Sequence, residues 1–208
     1  MQIFDFNKEN LEIDYFDGSP IFTIKNFYKN PDMVIQTIES VEPKLWKSWE
    51  TPSNNGVKFF DQRHEFEFDG VEQVSNFLSS ICNQPVSEKN LVLTNKIKFE
   101  DYEFNDYFNY YWAPHYDLGY TALIYLNRHG QTGTNLYKCT GIDNWTTPEH
   151  HEPWRPKSEY TVIKKLSAEF NKLIMFNGKK FLHGMSIEDD SFFKHDRLNQ
   201  VLFFIENQ

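Results

Sequence analysis

The chain is short of long apolar runs, of cysteine and of arginine. Its longest unbroken apolar stretches, Ala122 to Leu126 and Val201 to Ile205, are five residues each. A bilayer-crossing helix needs roughly 20, so no membrane segment is expected. The two cysteines, Cys82 and Cys139, follow no metal-ligand spacing and could form one bridge at most. They are read as free thiols, in keeping with a reducing compartment. Arginine occurs four times, and 21 basic residues stand against 30 acidic ones for a formal net charge of −9. With no basic block or stripe, a duplex nucleic acid partner is excluded, while a local pocket for a small anion is not. No repeat, low-complexity tract or Gly/Ser linker divides the chain. The stretch Met1 to Asn10 mixes Lys8 with Asp5 and Glu9 and does not read as a signal peptide. The expectation is a cytoplasmic protein, bacterial or from a phage-infected host.

What is abundant is aromatic: 20 Phe, 11 Tyr and 5 Trp make up 17% of the residues. A chain of 208 residues can bury roughly 70% of its unfolded surface, enough for one core without covalent staples. One domain is expected over 1–208. Near the start, Leu11 to Phe16 and Ile21 to Phe27 read as strands of a hairpin around Asp17, Gly18 and Ser19. Asn30 sits at an N-cap position and Pro31 at N1, followed by Val34, Ile38 and Val41 at helical spacing, which predicts a helix ending near Pro43. Val71, Val74, Phe77, Leu78 and Ile81 share one face of a second helix that stops before Pro85.

From Leu91 onward, short alternating or fully apolar runs follow at 91–98, 107–112, 120–126, 134–137, 160–163, 172–176 and 198–205. This spacing predicts a mainly β fold with supporting helices, a sandwich or jelly roll over 91–208, with 1–90 as an N-terminal α/β support region. The stretch 140–158, with Trp145, His150, His151, Trp154 and several prolines, breaks the pattern. It reads as a loop insertion, placed as a lid through which Trp145, Trp154 and Arg155 would contact substrate.

His115 and Asp117 stand at i and i+2 after a strand-like run, so in extended backbone both point to one side. Alone, that pair is as well explained by a surface turn. His183, in Phe181-Leu182-His183-Gly184, could add a third ligand from a neighbouring strand. Two imidazoles and one carboxylate form the facial set expected for non-haem Fe(II), leaving positions open for substrate and oxygen. Arg197 opens the last strand, and an arginine facing inward needs an anion, for which a carboxylate in a bidentate fork is the natural partner. The Glu149-His150-His151-Glu152 string is a poor metal site, because adjacent side chains in a Pro-flanked loop diverge. His64, His129 and His195 are read as surface or packing residues, and Asn177 and Gly178 as a bend before His183.

Over Tyr107 to Ile205 the sequence resembles the 2-oxoglutarate/Fe(II)-dependent oxygenases, and within them the prolyl-4-hydroxylase-like group. The resemblance rests on five strings in the family's order: Ala113-Pro114-His115-Tyr116-Asp117, Thr121 to Asn127, Gly133-Thr134-Asn135-Leu136, Phe176 to Gly184, and Arg197 to Phe204. It implies a double-stranded β-helix, or cupin-like jelly roll, in which His115, Asp117 and His183 hold Fe(II). Arg197 would bind the distal carboxylate of 2-oxoglutarate, with Tyr125 beside it and Thr121 lining the same pocket. The implied reaction consumes O2, releases succinate and CO2, and hydroxylates a peptide side chain, an amino acid or a small metabolite. Three departures matter. The interval between His183 and Arg197 is longer than usual, which leaves Lys194 as a rival anchor. The family's Gly-Gly turn is Gly133-Thr134 here. An upstream tyrosine facing 2-oxoglutarate could be Tyr107, Tyr110 or Tyr111. A catalytically silent jelly roll acting as a binding module is the competing reading; a metal-only cupin enzyme would want a different ligand string. Monomer and homodimer are both open.

Overall fold

Asp17 and Gly18 both adopt positive φ, 48° and 71°, the sign of a type I′ turn, whose twist matches that of the strands it joins. They connect β1 (Leu11–Phe16) to β2 (Ser19–Ile24) with Phe16 directly opposite Ser19. The second strand therefore begins two residues before the expected start at Ile21. It ends at Ile24, just ahead of Asn26, which also has positive φ. These features belong to a computed structural model that describes residues 5–50, 58–66, 70–85, 92–100, 109–112, 114–129, 133–140, 154–189 and 191–205.

Helix α1 (Pro31–Glu39) has Pro31 in its first turn, where the missing N–H costs nothing. Asn30 takes the cap position but makes no capping hydrogen bond through its side chain. The helix ends at Ser40, and a separate 3-10 turn, Pro43–Leu45, follows it. Helix α2 (Val71–Cys82) stops where Asn83 turns left-handed. No helix among the described residues is long and apolar enough to cross a membrane.

The remaining elements are β3 (Lys47–Glu50), β4 (Lys58–Phe66), β5 (Val92–Glu100), β6 (Tyr110–Trp112), β7 (Tyr120–Tyr125), β8 (Thr134–Cys139), β9 (Trp154–Pro156), β10 (Tyr160–Leu166), β11 (Lys172–Asn177), β12 (Leu182–Met185), α3 (Ser191–Lys194) and β13 (Arg197–Phe203). The fold is mainly β, and among the described residues every strand pairing is antiparallel. Eight strands form one sheet in the order β1-β2-β11-β7-β13-β5-β4-β3. A second sheet runs β10-β8-β12, and β6 pairs with β9. Strands from both halves of the chain thus share the large sheet.

That sheet is covered on both faces. On one, Phe22, Ile24, Ala122, Ile124, Leu173, Met175 and Leu202 pack with Val34 and Ile38 of α1 and Val74 and Leu78 of α2. On the other, Ile21, Leu123, Tyr125, Ile174, Phe176 and Val201 pack with Leu136 and Leu166 of the small sheet. This double coverage is why β7 and β11 read as continuous apolar runs: all six residues of β7 are buried.

Several elements differ from expectation. Strands β3 and β4 occupy positions with no strand signal, at the edge of the large sheet. The end of the expected 140–158 insertion is ordered structure, with Trp154 and Arg155 in β9, paired to Trp112 and Tyr111. Residues 141–153, including Trp145, His150 and His151, lie outside the described set. Lys194, the rival anchor, ends the short helix α3. Neither Cys82 nor Cys139 is in a disulfide.

Candidate metal centre

The two histidines are brought together by the main chain. The His115 N–H donates to the His183 carbonyl and the His183 N–H to the His115 carbonyl, both at 2.8 Å. This isolated antiparallel bridge extends the small sheet by one strand position, from β12 to the segment that follows β6. The rings consequently lie 4.4 Å apart, centroid to centroid. Asp117 is anchored from the other side, its N–H donating to the Gly178 carbonyl at 3.0 Å. Gly178 follows β11, so the turn after that strand positions the loop that carries the carboxylate.

One ligand atom from each of His115, Asp117 and His183 lies within 4.8 Å of the others. His183 Nε2 is 3.1 Å from Asp117 Oδ2 and His115 Nε2 is 3.8 Å from Oδ1. His183 Nδ1 lies 2.9 Å from the Phe181 carbonyl; a carbonyl only accepts, so Nδ1 donates there and Nε2 is the nitrogen left facing the cluster. His183 is 4% exposed and packs edge-on to Phe176, whereas the His115 side chain is 40% exposed. The cluster therefore has one sealed wall and one open one. Two imidazole nitrogens and a carboxylate oxygen, converging from one side, suit a divalent transition metal with further positions free. The donor set fits such an ion.

Thr121, expected to line a cofactor pocket, donates its hydroxyl to Asp117 Oδ2. Burial pushes the Asp117 carboxyl up, but the hydrogen bond and charge of His183, then the charge of His115 and the Thr121 hydroxyl, outweigh it. The carboxyl is held below the ordinary aspartate value. A depressed folded value means that the stabilisation is present above the unfolded aspartate pKa, ~3.9, and is lost as pH falls through the lower folded one. In the metal-free protein, the stability advantage of wild type over Asp117→Asn should thus shrink on acidification below about pH 4. Urea denaturation across pH 3 to 6 measures this, and an advantage that grows in acid would contradict it.

Further along the interior, Tyr125 on β7 exchanges a hydrogen bond of 2.8 Å with the Thr134 hydroxyl on β8. The Arg197 guanidinium lies 5.8 Å from the centre of the Tyr125 ring and donates to Asn199 Oδ1 at 2.9 Å. Burial pushes the Tyr125 phenol up, opposed only in part by Arg197 and Thr134, so it remains a donor. Arg197 is buried, and Lys194 is exposed. The same Asn199 side chain has an Nδ2 that is buried without a hydrogen-bond partner.

Of the other residues singled out in the sequence, Tyr110 and Tyr111 stand on β6, with the Tyr111 ring 4.7 Å from that of Tyr137 and tilted to it. Tyr107 lies outside the described residues. His129 and His195 stack on each other, 5.0 Å apart, at the surface, and His64 is in β4. Gly178 is the one contributor to the centre whose part the sequence understated. A Cβ there would sit 2.6 Å from Thr121 Oγ1 and 2.9 Å from Asp117 Cβ, so glycine is what lets this turn press against the carboxylate. The Asn-Gly pair marks a turn; its proximity to Asp117 needs the fold. No family model and no curated protein matches the chain.

Proposed function

We propose that the protein is an Fe(II)- and 2-oxoglutarate-dependent dioxygenase that hydroxylates a small-molecule or peptide substrate. The observation that carries the reading is the convergence of His115, Asp117 and His183 within 4.8 Å, the ligand set suited to non-haem Fe(II). Topology supports it. The layer β10-β8-β12, extended by the His115 bridge, packs against β2-β11-β7-β13 of the large sheet, and two packed antiparallel layers are what a double-stranded β-helix is built from.

When bound, iron with 2-oxoglutarate and O2 supplies an oxidative decarboxylation that yields succinate and CO2 and hydroxylates a neighbouring C–H bond. The chain's own residues would position and enclose it. His115, Asp117 and His183 hold the ion, and Thr121 fixes the Asp117 carboxylate. Arg197, buried beside Tyr125, offers a planar fork for the distal carboxylate, with Tyr125 as a neutral donor next to it. The unpartnered Asn199 Nδ2 offers a further donor beside the guanidinium. The open side at His115 is the approach for substrate, while the buried side at His183 keeps water away.

The test is an anaerobic titration of the metal-free protein with Fe(II) and then 2-oxoglutarate, followed by visible absorption. A charge-transfer band that is lost in His115→Ala is the expected result. Folded protein with no band would instead favour a silent β module that binds a partner. Removing the charge-assisted pair in Arg197→Ala should raise the 2-oxoglutarate requirement about 10–100-fold with iron affinity little changed. The same defect in Lys194→Ala, with Arg197→Ala unaffected, would move the anchor to Lys194.

A further inference from the structure

A pocket of about 290 Å³ opens between β6, β8, β10 and the segment that leaves β12, and none of His115, Asp117, His183, Tyr125 or Arg197 lines it. Three of its features call for a ligand. Asn135 is 4% exposed, its Nδ2 donates to the Tyr137 hydroxyl at 3.3 Å, and its Oδ1 has no hydrogen-bond partner. A buried acceptor left unmatched is costly and rare in folded chains.

The second feature is an unbalanced cation. Lys165 is neutralised by Glu188 at 2.9 Å, and Ser186 also donates to that carboxylate at 3.0 Å. Lys157 has no such partner among the described residues. Its ammonium stands 5.1 Å from the centre of the Tyr111 ring. Burial and the charge of Lys165 hold its pKa below the ordinary lysine value, as befits a cation that lacks an anion. The third feature is the wall itself: Tyr110, Tyr111 and Trp112 follow one another on β6 and offer flat apolar surface.

The chemistry of the lining selects the ligand. Asn135 and Tyr137 are two positions apart on β8, roughly 7 Å along the strand. The Tyr111 ring meets Tyr137 at a tilt, and Lys157 caps Tyr111. The unmatched acceptor, the unmatched cation and the aromatic wall thus line one pocket. We propose that this pocket binds a monoanionic aromatic hydroxy acid, its hydroxyl donating to Asn135 Oδ1 and its carboxylate pairing with Lys157. The proposal does not depend on the oxygenase reading.

Calorimetric titration of the full-length chain with 4-hydroxybenzoate, in excess EDTA so that no metal-bound carboxylate contributes, tests it. Saturable one-to-one binding is expected. It should weaken about tenfold or more in Lys157→Met, and by a similar factor for wild type titrated with benzoate, which lacks the hydroxyl. Lys157 is partly exposed, and methionine keeps the apolar stem over Tyr111, so the variant should fold. Affinity unchanged by Lys157→Met, affinity unchanged by loss of the hydroxyl, or no saturable binding at millimolar ligand would each overturn the assignment.

Discussion

His183→Ala should lose divalent metal binding and, with it, any turnover, while the protein stays folded. The side chain supplies the buried ligand, and nothing replaces its Nε2, 3.1 Å from Asp117 Oδ2. Losing a residue that merely orients a ligand costs roughly 10–100-fold in metal affinity, and losing the ligand itself should cost more. The fold should survive because the bridge to His115 is made by backbone N–H and carbonyl groups, which alanine retains. The buried Asp117 carboxyl would also lose the hydrogen bond and charge that chiefly oppose its desolvation, so its pKa should rise. Fe(II) or Zn(II) titration, with circular dichroism as the control for folding, reads the first effect. Unchanged metal affinity in a folded variant would remove His183 from the centre.

Gly178→Ala should damage the same centre without touching a ligand. The added methyl would meet Thr121 Oγ1 at 2.6 Å, Asp117 Cβ at 2.9 Å and Asp117 Oδ2 at 3.0 Å, and all three belong to short side chains with little room to swing away. Since the Asp117 N–H is tied to the Gly178 carbonyl, neither segment can retreat without loosening the other. Displacement of the carboxylate should lower metal affinity about 10–100-fold, and the overpacking should cost about 1–3 kcal/mol of stability. Metal titration and urea denaturation of the same variant separate the two effects. Normal affinity with only a stability loss would show that the turn relaxes away from Asp117, and that its closeness does not set the ligand's position.

The cluster of His115, Asp117 and His183 was legible because period-two alternation places His115 and Asp117 on one side, and because His183 occupies a strand-like run of its own. Which strands would adjoin was not legible: the His115 to His183 bridge joins segments far apart in sequence. Helices α1 and α2 could be read from apolar spacing and their flanking Pro or Asn residues. Strands β3 and β4 could not. Lys58–Phe66, with its Lys, Asp, Arg, His and Glu, carries none of the apolar alternation that marks a half-buried strand, and it sits toward a sheet edge where charge is tolerated. Thr121 was legible as facing inward, but its bond to Asp117 depends on where the loop returns. The pocket beside β6 had no sequence signal, since Asn135, Lys157 and Tyr111 come from three separate segments.

The bridge between the ligand-bearing strands also bears on how the protein would respond to a chelator. In small zinc domains the ion itself closes the loop between distant ligands, so stripping it unfolds the chain. Here two main-chain hydrogen bonds and the packing of the large sheet close that loop, and its entropic cost is met when the chain folds. Metal removal should therefore leave a receptor already shaped for reloading, and the ion should exchange with the surrounding pool by a local step at the open His115 side.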